Sequence, residues 1–150
     1  MKYVHTNIVA KDASQLAEFY KSVFACTQVG TESTLMGDWL AKGTGVKSAR
    51  ITSIQLELPG YEKGGPALEI FEYSEIIDEQ ETPLPNRKGI RHLAFSVDDV
   101  EDIVEKVIRN GGKKLGELVR KEFKSGTLTF AYATDPEGNI IELQNWQGKE

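Results

Sequence analysis

The sequence predicts an α+β fold built from two tandem βαβββ modules. Three observations predict it. A pattern of strand, helix and three strands runs through the first half and restarts after a polar stretch. The chain's two histidines, His5 and His92, each sit in the first strand of a half, and each is followed seven residues later by an aspartate, Asp12 or Asp99, at the start of a helical pattern. The last strand of each half carries a glutamate between apolar residues, Glu69 in LEIF and Glu142 in IELQ.

The elements follow in order. Residues 3–10 form a β-prone run. Asp12 or Ser14 then caps a helix to about Phe24, with Leu16, Phe19, Tyr20, Val23 and Phe24 at helical spacing. Residues 27–36 are weakly strand-like, and the glycine-punctuated stretch 37–45 holds a helical turn around Trp39 and Leu40. Alternation returns at 49–58, a glycine- and proline-rich turn follows at 59–66, and 67–73 is a strand. Module one thus covers about residues 1–74. Residues 75–88 are polar and acidic, contain Pro83 and Pro85, and read as a linker.

Module two covers about residues 89–146. Residues 89–97 form a strand, and Asp98 or Asp99 caps a helix through Asn110 whose apolar face is Val100, Ile103, Val104, Val107 and Ile108. Gly111 and Gly112 are expected to end it by supplying positive φ. Strands follow near 114–121, 127–134 and 139–145, the last two separated by the turn TDPEGN.

A chain of 150 residues suits one domain able to bury a sizeable core, and 39% hydrophobic with 27% charged residues fits a globular protein. The net charge of −5, with no basic run, excludes a nucleic-acid partner and an anionic membrane surface, both of which need concentrated positive charge. Neither a signal-peptide core nor a membrane-length apolar run is visible, and the single cysteine, Cys26, permits no internal disulfide, so a cytoplasmic setting is expected. Cys26 follows Phe24 and Ala25 at a helix end and reads as buried and structural rather than nucleophilic.

The repeat carries the chemistry. Strand residues of one parity share a face, so Phe71 and Tyr73 lie with Glu69, and Ile140 and Gln144 lie with Glu142. An unpaired carboxylate is costly in such surroundings, and coordination of a cation removes that cost. Two imidazoles and two carboxylates suit one divalent ion of the Mn, Fe, Co, Ni or Zn group. Glu72 is an alternative acid to Glu69, but its opposite parity turns it toward the helix or solvent. Trp39, Arg50, Phe71 and Tyr73 are the candidate substrate-pocket residues, Arg50 for an anionic group. Lys47 reads as a surface charge; Phe95, Phe130 and Tyr132 are further pocket candidates for which core packing is the favoured reading, and Trp146 packs at a chain end.

The repeated order, HLAFSVDD at 92–99 and DPEGNIIEL at 135–143 resemble the vicinal oxygen chelate superfamily, which includes glyoxalase I, methylmalonyl-CoA epimerase, extradiol dioxygenases and fosfomycin or bleomycin resistance proteins. The stretches GVKSARI, LELPG and LEIFEY look like its glyoxalase-like or epimerase-like branch. The resemblance implies a curved mixed sheet around a metal site, with His5, Glu69, His92 and Glu142 as ligands. It implies a lyase or isomerase that moves a proton next to a carbonyl, with Glu142 or Glu69 as the catalytic base. The expected partner is a small-molecule substrate with vicinal oxygens, bound by a homodimer. Two alternatives are an Fe(II) extradiol-type dioxygenase, disfavoured by the fourth ligand, and a small-molecule binding or resistance protein, disfavoured by the complete ligand set.

Overall fold

Asp12 decides where the first strand gives way to the first helix. Strand β1 (His5–Val9) is followed by helix α1 (Ala13–Phe24), and the Asp12 carboxylate accepts the Gln15 backbone N–H at 2.8 Å. Ala25 ends α1 in the left-handed region, φ 55, and lets the Cys26 N–H return to the Tyr20 carbonyl. Strand β2 (Thr27–Met36), helix α2 (Asp38–Thr44), strand β3 (Arg50–Glu57) and strand β4 (Ala67–Tyr73) follow. In this computed structural model, which describes residues 1–78 and 82–149, these elements belong to one compact unit, Met1–Glu79.

Its mixed sheet has the order β1-β4-β3-β2, with β1 parallel to β4 and the remaining pairs antiparallel. Alternation sends Ile8, Ile54, Leu56, Leu68 and Ile70 to the face that α1 covers with Leu16, Phe19, Tyr20 and Val23. Each such side chain, fully buried, contributes about 1.5–3 kcal/mol. The opposite face carries Asn7, Gln55, Glu69, Phe71 and Tyr73. Helix α2 extends the expected single turn to seven residues, and its Leu40 closes a small apolar cluster with Ala49 and Ile51, against which Leu35, Phe71 and Tyr73 pack.

The second unit, Gln80–Glu150, contains strand β5 (His92–Ser96), helix α3 (Val100–Arg109) and strands β6 (Lys113–Lys114), β7 (Val119–Phe123), β8 (Gly126–Thr134) and β9 (Ile140–Gly148). Part of the predicted linker, residues 79–81, lies outside the described residues. Asp99 caps α3 by accepting from the Asp102 N–H at 3.1 Å. The sheet order is β5-β9-β8-β6, with β5 parallel to β9 and β7 also paired to β8. Val100, Val104 and Val107 cover Ala131, Ala133, Ile141 and Leu143 on one face. Each unit is therefore α+β around a mixed sheet, and together the described residues hold three helices and nine strands.

Three details differ from expectation. Ile108, expected on the apolar face of α3, is half exposed, while Val100, Val104 and Val107 are buried. Only Gly111 has positive φ, at 91°; Gly112 is required for close approach, since a Cβ there would lie 2.3 Å from the Thr134 carbonyl oxygen. The strand expected near 114–121 is two strands, because Leu115 and Gly116 both turn their N–H groups to the Tyr132 carbonyl and interrupt the ladder. Among the described residues no helix is long and apolar enough to cross a membrane.

Candidate metal centre

In the first unit the parallel pairing of β1 and β4 places His5 opposite Ala67, two residues before Glu69 on the same face. The His5 Nε2 then lies 3.3 Å from Glu69 Oε2. The second unit repeats the step. His92 lies opposite Ile140, two residues before Glu142, and its Nε2 is 3.1 Å from Glu142 Oε2. In both pairs the imidazole is the more exposed member, 41% and 35% against 22% and 18% for the carboxylates. Each glutamate side chain is thus mostly withdrawn from water, with its carboxylate facing a more exposed imidazole.

Local chemistry fixes these registers. Asp135, 2% exposed, accepts the N–H groups of Glu137 and Asn139 on one oxygen and the Asn139 side-chain amide on the other. This turn holds Thr134 opposite Ile140, and so Tyr132 opposite Glu142. In the first unit Asn7 stands opposite Glu69 and donates its side-chain amide to the Glu69 carbonyl at 3.1 Å, tying β1 to β4. Glu72, the alternative acid, faces the helix side, where its carboxylate accepts the Ala13 N–H at 2.9 Å and secures the first turn of α1.

The pocket candidates separate. Phe71 and Tyr73 share Glu69's face, with ring centroids 6.3 Å apart, and both pack on the cluster that Leu40 closes. Trp39, 64% exposed, does not join that cluster. Arg50 precedes Ile51 on β3, so alternation turns it from the face of Ile51, Phe71 and Glu69; the expectation of Arg50 in their pocket meets the two-residue period of the strand.

Tyr132, for which core packing is the favoured expectation over pocket lining, adjoins the second His–Glu pair. Its hydroxyl faces Glu142 Oε2 at 3.5 Å, longer than the roughly 2.5–3.0 Å of a well-formed O–H···O bond, and its ring meets the His92 ring edge-on, with centroids 5.4 Å apart. Burial, then the neighbouring Glu142 charge, then the bond to it push the phenol above its ordinary 10.0, so it keeps its proton and donates at neutral pH. The available signal was the DPEGN turn, from which counting back along an antiparallel hairpin pairs Tyr132 with Glu142. The equivalent position in the first unit, opposite Glu69, is Gln55.

The donor set fits a metal ion. Nitrogen and oxygen ligands about 2.1 Å from one ion are separated by about 3.0 Å in octahedral and about 3.4 Å in tetrahedral geometry. Both His–Glu separations lie in that interval. Among the described residues no three His, Cys, Asp or Glu side chains gather to hold an ion; each unit carries one His–Glu pair.

A profile of the Glyoxalase/Bleomycin resistance protein/Dioxygenase superfamily matches residues 2–143. The chain belongs to this superfamily. Its fold is that of other members: a glyoxalase family protein from Bacillus cereus superimposes with a TM-score of 0.80 at 23% identity, covering 99% of this chain and 94% of that one. A glyoxalase family protein from Enterococcus faecalis gives 0.57 at 22% identity, covering 96% and 95%. Within the superfamily, lactoylglutathione lyases from Escherichia coli O157:H7 and Shigella flexneri are each 40% identical over 52 residues, 35% of this chain. That match spans 37% of the length of these curated relatives.

Proposed function

We propose that this superfamily member is a metal-dependent lyase or isomerase that moves a proton on carbon next to a carbonyl. One observation carries the reading: the same His–Glu pair occurs twice, each time at the separation of neighbouring donors on one ion. His5, Glu69, His92 and Glu142 would hold one divalent ion from the Ni, Co, Zn, Mn or Fe group. When bound, the ion supplies Lewis acidity toward the oxygens of a small substrate with vicinal oxygens. Glu69 or Glu142 takes a proton from the adjacent carbon and returns it to the neighbouring one, so that no external oxidant or reductant is needed. The short similarity to lactoylglutathione lyases supports the glyoxalase-like form of this reaction.

Four donors on one ion require the two half-sites to meet, within one chain or across two copies. The family resemblance favours a homodimer, which light scattering checks. A single buried, unpaired cysteine supports a reducing, cytoplasmic setting.

The test is metal analysis of protein purified without chelator, followed by assay of lactoylglutathione formation from methylglyoxal and glutathione, and of proton exchange on related 2-oxo compounds. Activity is expected to vanish on chelation and return with one divalent ion per half-site pair. Full activity in Glu142→Ala would remove its assigned role. Iron with oxygen uptake on catechols would replace the reading by oxygen chemistry, and ligand binding indifferent to metal would replace it by a binding protein.

A further inference from the structure

We propose that Tyr132 is a positioning residue of the second half-site, fixing Glu142 through its hydroxyl and His92 through its ring, so that Glu142 is the fixed carboxylate and Glu69 the mobile one. The inference rests on the metal-site reading above and adds an inequality between two pairs that the repeat otherwise makes alike.

Three observations converge. The β8–β9 register places Tyr132 directly opposite Glu142, on the same face. Its hydroxyl is directed at Oε2, the same oxygen that faces His92 Nε2. Its ring stands edge-on to the imidazole at 5.4 Å and is backed by Phe130, whose ring is 6.2 Å away at nearly a right angle. A side chain in contact with both donors restricts the torsions of both, and an aromatic ring locked by a second ring has little freedom to follow them. In the first unit the corresponding cross-strand position holds Gln55, which is exposed, and among the described residues the one side-chain ion-pair partner of Glu69 is His5. Two carboxylates on one ion would therefore differ in freedom: one held from two sides, the other from one.

Calorimetric titration with nickel(II) tests this without needing a substrate. Tyr132→Phe keeps the ring and removes the hydroxyl, and should weaken nickel(II) binding by about 10-fold. It should also change the visible spectrum of the cobalt(II)-loaded protein. Gln55→Leu, the matching change in the first unit, should leave both unaltered. Affinity of Tyr132→Phe within about twofold of wild type, less than one hydrogen bond contributes, together with an unchanged cobalt spectrum, would overturn the proposal. Equal effects of Tyr132→Phe and Gln55→Leu would overturn it as well. A wild-type chain that takes up neither ion would overturn the metal-site reading itself, a result distinct from loss in the variant alone. Nuclear Overhauser contacts between the Tyr132 and His92 rings in the wild-type protein need no variant; their absence also sinks the inference.

Discussion

At the scale of single residues, environment decides which side chains act and which only pack. Cys26 is 5% exposed, and burial pushes its thiol from 9.0 up to about 11, with a backbone hydrogen bond offsetting part of the rise. The folded chain thus holds this proton more tightly than the unfolded chain does. The resulting stabilisation is complete below pH 9 and is lost as pH rises through about 11. Native protein should accordingly react slowly with thiol reagents at neutral pH. Denaturant melts should show wild type losing stability relative to Cys26→Ala only between these pH values. The expectation of an inert, buried cysteine was legible in the sequence because its apolar neighbours are local. For Tyr132 the DPEGN turn points to its pairing with Glu142, but its ring contact with His92, forty residues away in the chain, was not legible.

At the scale of elements, caps and turns set the registers that bring each histidine to its glutamate. Asp12 and Asp99 hold the same post in α1 and α3; the sequence narrows the caps to Asp12 or Ser14 and Asp98 or Asp99, and the structure chooses the first and the last. Asp135 does more, since its buried carboxylate satisfies two backbone N–H groups and one amide within the turn that aligns β8 with β9. Asp135→Ala would leave buried donors unpaired, at a cost of about 2 kcal/mol or more. A fall in melting temperature of about 4–8 °C is expected by calorimetry. Ala25 offers the opposite case. It is exposed and left-handed, φ 55, where an L side chain is strained, so Ala25→Gly should leave stability unchanged or raise it by up to about 1 kcal/mol. The split of one expected strand into β6 and β7 was not legible. It depends on two N–H groups sharing the Tyr132 carbonyl, a contact between distant segments.

At the scale of the whole molecule, the repeat is the organising fact. Each unit builds its own mixed sheet, covers one face with a helix, and leaves a His–Glu pair on the other. If the four donors share one ion, binding is linked to folding. Nickel(II) at 100 times its dissociation constant should then stabilise the chain by about 2.7 kcal/mol. That corresponds to a rise in melting temperature of about 5–10 °C, absent in a His5→Ala, His92→Ala double variant. No rise in wild type would count against the shared ion.

The sequence by itself determined the two-module α+β order, each helix cap to within two residues, and the equivalence of His5 with His92 and of Glu69 with Glu142. These follow from local periodicity and from comparing one half with the other, and neither requires knowing which strands are neighbours. Tertiary structure decided that each histidine meets its glutamate at 3.1–3.3 Å and that the Tyr132 ring meets the His92 ring. Those outcomes depend on strand pairing across long stretches of chain. A single-residue shift of register there would send every side chain to the other face; a short turn such as DPEGN fixes that register locally, but the β1–β4 and β5–β9 pairings join segments far apart in the chain.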